Sequence, residues 1–166
     1  MLLICTASSG NNLALATRLG ELADELGIAH RVLDLAAAGL PMYTTARESE
    51  GRPDTLDPVE EAFSSASAFF VTAPEYNGST PPVLSNAIAW LSTQTADFRA
   101  VFNYKPVALA THSGGGGQKV LTAMRLQFSH LGCMVLGRDL QTNRNKALNE
   151  DSARVVLTQL SRLMSA

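Results

Sequence analysis

Five short apolar runs, at residues 2–7, 31–35, 68–73, 106–111 and 133–136, punctuate this chain at wide intervals. Each is four to six residues long. That is too short for a core helix, so each reads as a strand; 2–7 and 68–73 read as buried ones, and 31–35, with Asp34 near its C-terminal end, as a short second strand. The stretches between them carry a different period. Leu15, Leu19, Leu22 and Leu26 share one helical face, and Gly27 follows where a C-cap glycine belongs. Asp57-Pro58 predicts a helix start, with Asp as N-cap and Pro at the first helical position, running to about residue 67. Residues 83–92, 118–131 and 149–164 predict three more helices, the last favoured at its N-terminus by Asn149, Glu150 and Asp151. Residues 36–57, with Gly39, Pro41, Gly51 and Pro53, read as a long irregular connection, and 93–104 as a mixed segment.

Strands that alternate with helices over the whole length imply a parallel sheet with helices on both faces. Right-handed crossovers then give five strands in the doubly wound order 2-1-3-4-5. No repeat or linker divides the chain, so the expectation is a single domain spanning residues 1–166. A chain of this length buries roughly two thirds of its unfolded surface and needs no metal or disulfide to fold.

Composition removes several function classes. With 46% apolar and 17% charged residues the chain is not a disordered polymer. The net charge is -2 and no stretch gathers Lys or Arg, which argues against a nucleic-acid partner. Cys5 and Cys133 share no CxxC spacing and read as buried core thiols, and no metal site is expected. The first ten residues lack a basic leader pattern, and no window approaches the roughly 18 apolar residues of a membrane span. A reduced, cytoplasmic protein without a membrane role is the expectation.

In a doubly wound sheet ligands sit beyond the carboxyl ends of the strands, at the switch point between strands one and three. Three loops rich in small polar residues fall there. The first, Thr6-Ala7-Ser8-Ser9-Gly10-Asn11-Asn12, opens directly into a helix, whose free N–H groups and dipole suit a phosphate. GxxxxGKS and GxGxxG are both absent. Simple helix capping is the competing explanation, but it needs one residue where six small polar ones run together. The second loop, Pro74-Glu75-Tyr76-Asn77-Gly78-Ser79, contains the strong turn pair Asn77-Gly78. A plain turn leaves unexplained the aromatic Tyr76, which could pack beside a planar ring. The third, Ser113-Gly114-Gly115-Gly116-Gly117, could be a flexible spacer, but between a strand and a helix it lets backbone approach a flat ligand closely. His112 beside it reads either as a local hydrogen-bonding residue or as part of a nicotinamide or acceptor pocket.

The segment from Pro74 to Ser79, the following helix with Asn86, Ala87 and Trp90, and the glycine loop leading into a helix at 121–131 together resemble the NAD(P)H-dependent FMN reductase family of flavodoxin-like proteins. The element order matches over nearly the whole chain. The resemblance implies a flavodoxin-like α/β fold, FMN as cofactor and NADPH or NADH as co-substrate. It places the FMN phosphate on Ser8, Ser9, Asn11 and Asn12. It lines the flavin ring with Pro74, Glu75, Tyr76, Asn77 and Gly78, completed by Ser113, Gly114 and Gly115. Many family members carry an Arg in the first loop; this one has neither Arg nor Lys there, so neutral donors and the helix dipole would hold the phosphate.

The activity implied is transfer of hydride from nicotinamide to FMN and onward to a small acceptor, such as free flavin, a quinone, an azo compound or a metal oxyanion. The cofactor carries that chemistry, so no catalytic acid or base is nominated, and no GxSxG elbow points to a hydrolase. Two alternatives stand beside it: a flavodoxin-like electron carrier, which the small net charge disfavours, and a module that keeps the fold without FMN. The resemblance also implies a homodimer or homotetramer. Trp90, Phe98, Val101 and Phe102 are apolar residues that belong either to an interface or to the core.

Overall fold

The computed structural model describes residues 1–165; the last position of the expected 1–166 domain lies outside the described residues. Six parallel strands form one sheet: β1 (Leu2–Thr6), β2 (His30–Asp34), β3 (Ala68–Thr72), β4 (Pro106–His112), β5 (Met134–Val135) and β6 (Leu140–Thr142). The order is β2-β1-β3-β4-β5, with β6 also paired to β4. The helices are α1 (Asn11–Glu25), α2 (Thr45–Ser49), α3 (Asp57–Ser65), α4 (Pro82–Ser92), α5 (Gln118–His130) and α6 (Glu150–Met164).

Burial distinguishes the runs: β2, at the sheet edge, is half-buried throughout and Met134 of β5 is exposed, whereas β1 and β3 are covered on both faces. Every residue of β1 and β3 is buried. Successive side chains of a strand point to opposite faces, and both faces are covered. Leu3, Cys5, Phe69, Val71, Val107 and Leu109 meet Phe63 of α3, Leu84 and Trp90 of α4, and Met124 and Phe128 of α5. The alternate residues Leu2, Ile4, Phe70, Ala108 and Ala110 meet Leu15, Leu19 and Leu22 of α1 and Val156, Leu157 and Leu160 of α6. Leu15, Leu19 and Leu22 are therefore the packed face read from the period, whereas Leu26, the C-cap of α1, is 39% exposed because the helix ends before it. Gly27 beyond it has φ +67°, as a C-cap glycine should.

Parallel register aligns the strand ends that position the site. Thr6 pairs with Thr72, and Thr72 with Ala110. β4 runs two residues further, to His112.

Three details differ from the sequence expectation. Asp57 is the first residue of α3 rather than its N-cap: a 3-10 turn at Asp54–Leu56 feeds straight into the helix, Leu56 occupies the cap, and the Asp57 carboxylate takes a bond from Arg52 instead. The fifth strand position holds two short pieces. β5 pairs with the start of β4 and β6 with its end. Between them the Arg125 guanidinium bonds the Leu136 carbonyl at 2.9 Å and pairs with Asp139 at 2.6 Å, so a side chain takes the place of ladder bonds at the break. The connection 36–57 contains α2, capped by Thr44 onto the Arg47 N–H. Trp90, Val101 and Phe102 are core residues, and Phe98 alone of that group is exposed, stacked on His130.

Candidate functional site

A threonine closes four strands of the sheet: Thr6, Thr72, Thr111 (one residue before the end of β4) and Thr142, all buried. Each hydroxyl is hydrogen-bonded to backbone of the loops or strand ends above it. Thr6 donates to the Ser8 carbonyl at 3.0 Å, Thr72 to the Asn12 carbonyl at 3.0 Å, Thr111 to the Ala73 carbonyl at 2.7 Å and Thr142 to the Thr111 carbonyl at 3.1 Å. A buried hydroxyl without a partner costs a kcal/mol or more, roughly 1–3, so these threonines fix the loops to the sheet. Sequence reading placed Thr6 in the first loop and passed over Thr72, Thr111 and Thr142; the signal was a Thr recurring at the end of the apolar runs.

The first loop ends at Gly10, which caps α1 with no side-chain bond. Ser8 is half-buried, and Ser9, Gly10 and Asn11 are exposed. Among the described residues the N–H groups of Ser9, Gly10, Asn11, Asn12 and Leu13 make no hydrogen bond. Five unmatched donors at the positive end of a 15-residue helix form an anion cradle. A Cβ on Gly10 would meet nothing within 4 Å, so the space above it is open. Asn12 differs from its neighbours. Its side chain is 2% exposed, accepts from the His112 N–H at 2.8 Å and donates to the His112 carbonyl at 2.9 Å. Its amide clamps α1 to the end of β4, leaving only its backbone N–H for a ligand.

The second loop is a tight hairpin. Tyr76 and Ser79 exchange both backbone bonds, at 3.1 and 3.0 Å. Asn77 and Gly78 between them have φ of +51° and +76°, the left-handed pair that a type I′ turn requires and Asn-Gly supplies most readily. Tyr76 is half exposed at the tip, and Pro74 is buried at the base. The Glu75 N–H starts a relay: it donates to Ser113 Oγ at 2.8 Å, Ser113 lies 2.8 Å from Thr111 Oγ1, and Thr111 donates to the Ala73 carbonyl. Because the Thr111 proton goes to Ala73, Ser113 is the donor in the middle step. The second and third loops are thereby one unit. The Glu75 carboxylate accepts from the Lys119 N–H at 3.2 Å and so caps α5, whose N-cap Gly117 has no side chain to do it.

These bonds sort the expected ring contacts. Glu75 and Ser113 are committed to building the loops, while Tyr76, the Asn77 and Gly78 N–H groups and the glycine tract remain free to touch a ligand. The N–H groups of Gly114 to Gln118 make no hydrogen bond among the described residues. A Cβ at Gly114, Gly115 or Gly116 would meet nothing within 4 Å, whereas at Gly117 it would lie 2.5 Å from Thr111 Cγ2. The fold demands the last glycine and not the other three, which are the ones facing outward.

His112 sits between the first and third loops. Its Nδ1 is 3.0 Å from Thr142 Oγ1, and because that hydroxyl donates to Thr111, the ring nitrogen carries the proton and donates. Beside it a cleft of about 230 Å3 is lined by Asn11, Arg18, His112, Thr142, Asn143 and Lys146. A larger concavity, about 490 Å3 on α6 between Arg154 and Arg162, shares no residue with the three loops. No group of three or more His, Cys, Asp or Glu that could hold a metal occurs among the described residues. Cys5 and Cys133 are free and buried, and burial pushes both thiols up to about 12, so neither is a nucleophile at neutral pH.

A parallel sheet in this order, with a phosphate-type cradle after β1 and two interlocked loops after β3 and β4, is the architecture of flavodoxin-like proteins. Solved structures agree. FerB, a flavoenzyme NAD(P)H:(acceptor) oxidoreductase from Paracoccus denitrificans, superposes with a TM-score of 0.76 at 18% identity, covering 99% of this chain and 94% of that one. A flavodoxin from the domain Archaea superposes at 0.64 and 14% identity over the full length of both. The family model for NADPH-dependent FMN reductase matches residues 1–146, and the chain belongs to that family. A quinone reductase of Escherichia coli strain K12 is 34% identical over 104 residues, 61% of this chain and 54% of that protein. The chain thus spans about half the length of the curated relatives it matches.

Proposed function

We propose that this chain binds FMN across the C-terminal edge of its sheet, as one domain, and acts as an NAD(P)H-dependent reductase of a small acceptor. The observation that carries the reading is the set of free N–H donors in two loops, at α1 and at the glycine tract, on either side of a half-exposed Tyr76. That arrangement fits a ligand with an anionic tail and a flat, polar-edged head. The backbone N–H groups of Ser9, Gly10, Asn11 and Asn12 hold the phosphate, with the Ser8 and Ser9 hydroxyls beside it, the Ser8 N–H being already bonded to Thr6 Oγ1. Tyr76, Asn77 and Gly78 flank one side of the ring, and the N–H groups of Gly114 and Gly115 meet its polar edge. Pro74, Glu75 and Ser113 support those contacts from beneath.

Bound FMN supplies two-electron chemistry between a reduced nicotinamide and an acceptor. The protein contributes orientation and exclusion of water, and no side chain in the three loops is arranged as a general acid or base. A quinone is the acceptor suggested by the Escherichia coli relative; free flavin, azo compounds and metal oxyanions are further acceptors of the same electron demand. A homodimer or homotetramer that covers one face of the bound ring, and a cytoplasmic location suited to two unpaired thiols, complete the proposal. No helix among the described residues is long and apolar enough to cross a membrane.

The test has two stages. Added FMN should lose fluorescence on binding at micromolar protein; absence of binding sinks the proposal. The bound flavin should then bleach anaerobically on mixing with NADPH or NADH and recover on adding a quinone. Binding without bleaching by either nucleotide would make the chain an electron carrier instead.

A further inference from the structure

The anion cradle at α1 has an unusual electrostatic deficit. The nearest cation along the helix, Arg18, is bonded to Glu21 and Glu150 at 2.7 and 2.8 Å and faces Glu25 at 3.5 Å. Those carboxylates hold its pKa above the ordinary value and neutralise it as a partner for anything else. A phosphate bound to backbone alone would lack a full opposing charge, which only a cationic side chain supplies.

β6 provides one from a different direction. The chain leaves β6 at Thr142 and makes a turn in which Asn143 and Lys146 exchange both backbone bonds, at 2.9 and 3.1 Å, with the Asn143 side chain accepting the Asn145 N–H at 2.8 Å. The turn is anchored to the site by Thr142, which bonds His112 Nδ1 and pairs with His112 in the sheet. His112 in turn is clamped to Asn12 of α1. Lys146 therefore stands on a braced turn two steps from the helix N-terminus, and it lines the same cleft of about 230 Å3 as Asn11, the first residue of α1. It is exposed and forms no ion pair among the described residues. Lys119 is also unpaired, but its side chain lies over Gly78, with Cδ 3.4 Å from the Cβ position there. It serves the ring side of the site.

We propose that Lys146, carried by the turn after β6, is the charged ligand of the flavin phosphate and replaces a cation missing from the β1–α1 loop. The inference rests on the FMN reading above and adds a residue to it. An ammonium on a long stem suits the role, because it meets a dianion as a point charge and needs no fixed fork geometry.

The experiment compares FMN with riboflavin, which lacks the phosphate, on the full chain by fluorescence titration. Wild type should bind FMN more tightly than riboflavin. Lys146→Ala should weaken FMN by about tenfold, the scale of one lost charged hydrogen bond, and leave riboflavin unchanged. Lys146→Arg should restore most of the loss, and Lys146→Glu should exceed it. The dependence of FMN affinity on added KCl should flatten in Lys146→Ala. Wild type binding the two flavins alike would overturn the phosphate reading as a whole. A wild-type preference for FMN that survives in Lys146→Ala, or that disappears in Lys119→Ala instead, would overturn this inference alone.

Discussion

Replacing Asn12 with alanine separates a clamp from a ligand. The Asn12 amide makes two bonds to the backbone of His112, at 2.8 and 2.9 Å, from a position 2% exposed. Alanine removes both and leaves the N–H and C=O of a half-buried residue without partners, together with a small void. Each stranded group costs roughly 1–3 kcal/mol; with some water reaching His112, the sum is about 2–4 kcal/mol. For a chain of this size each kcal/mol moves the melting temperature by about 2–4 °C, so the apo protein should melt roughly 4–16 °C lower. FMN affinity should also fall, because the helix that presents the free N–H groups is no longer held to β4. The assay is thermal unfolding of apo protein by calorimetry, paired with FMN titration below the transition. An apo melting temperature within about 1 °C of wild type, with the loss confined to FMN binding, would refute the clamp and make Asn12 a direct ligand.

Other consequences follow from the same geometry. Tyr76→Ala should leave apo stability within about 0.5 kcal/mol, because the ring is half exposed, yet lower affinity for FMN and riboflavin alike by about tenfold; equal affinity would remove Tyr76 from the ring wall. Gly117→Val combines a φ of +67° with a Cβ 2.5 Å from Thr111 Cγ2 and should cost about 3 kcal/mol in urea unfolding. Gly115→Ala should cost apo stability nothing measurable and weaken FMN, and the reverse ranking would show that the tract serves the fold. Cys5 and Cys133, with thiols pushed up to about 12 by burial, should resist iodoacetamide in native buffer near neutral pH and react in denaturant; labelling of native protein at either site would contradict the packing.

The layer architecture was legible because period and burial carry it. Runs such as 68–73 have no wet face, and the Leu15 to Leu22 stripe has only one dry one. The turn at Asn77-Gly78 was equally readable, since few other dipeptides populate two successive left-handed conformations. The division of labour inside the loops was not readable. Ser113 and Glu75 look like ligands in a string of letters, and only the relay through Thr111 shows them committed to holding two loops together. Asn12 groups with Ser8, Ser9 and Asn11 in the sequence because all four are small and polar. Its burial depends on a strand one hundred positions away. β6 has no comparable signature, because three residues flanked by Arg138 and Arg144 lack the apolar density of the other runs.

The threonines at the strand ends set where the entropy of binding falls. Their hydroxyls already hold the β1–α1 loop and the Tyr76 hairpin in place, so those segments have little freedom left to surrender to a cofactor. The tract from Gly114 to Gly116 has no hydroxyl beneath it and no internal contact that a side chain would touch. Ordering those residues is where the free energy of cofactor capture is most heavily taxed, at roughly 1–2 kcal/mol for each backbone unit fixed. On the proposed flavin site the lifetime of the bound cofactor would depend on these three glycines, and changes that stiffen them in the bound shape would lengthen it without adding a contact.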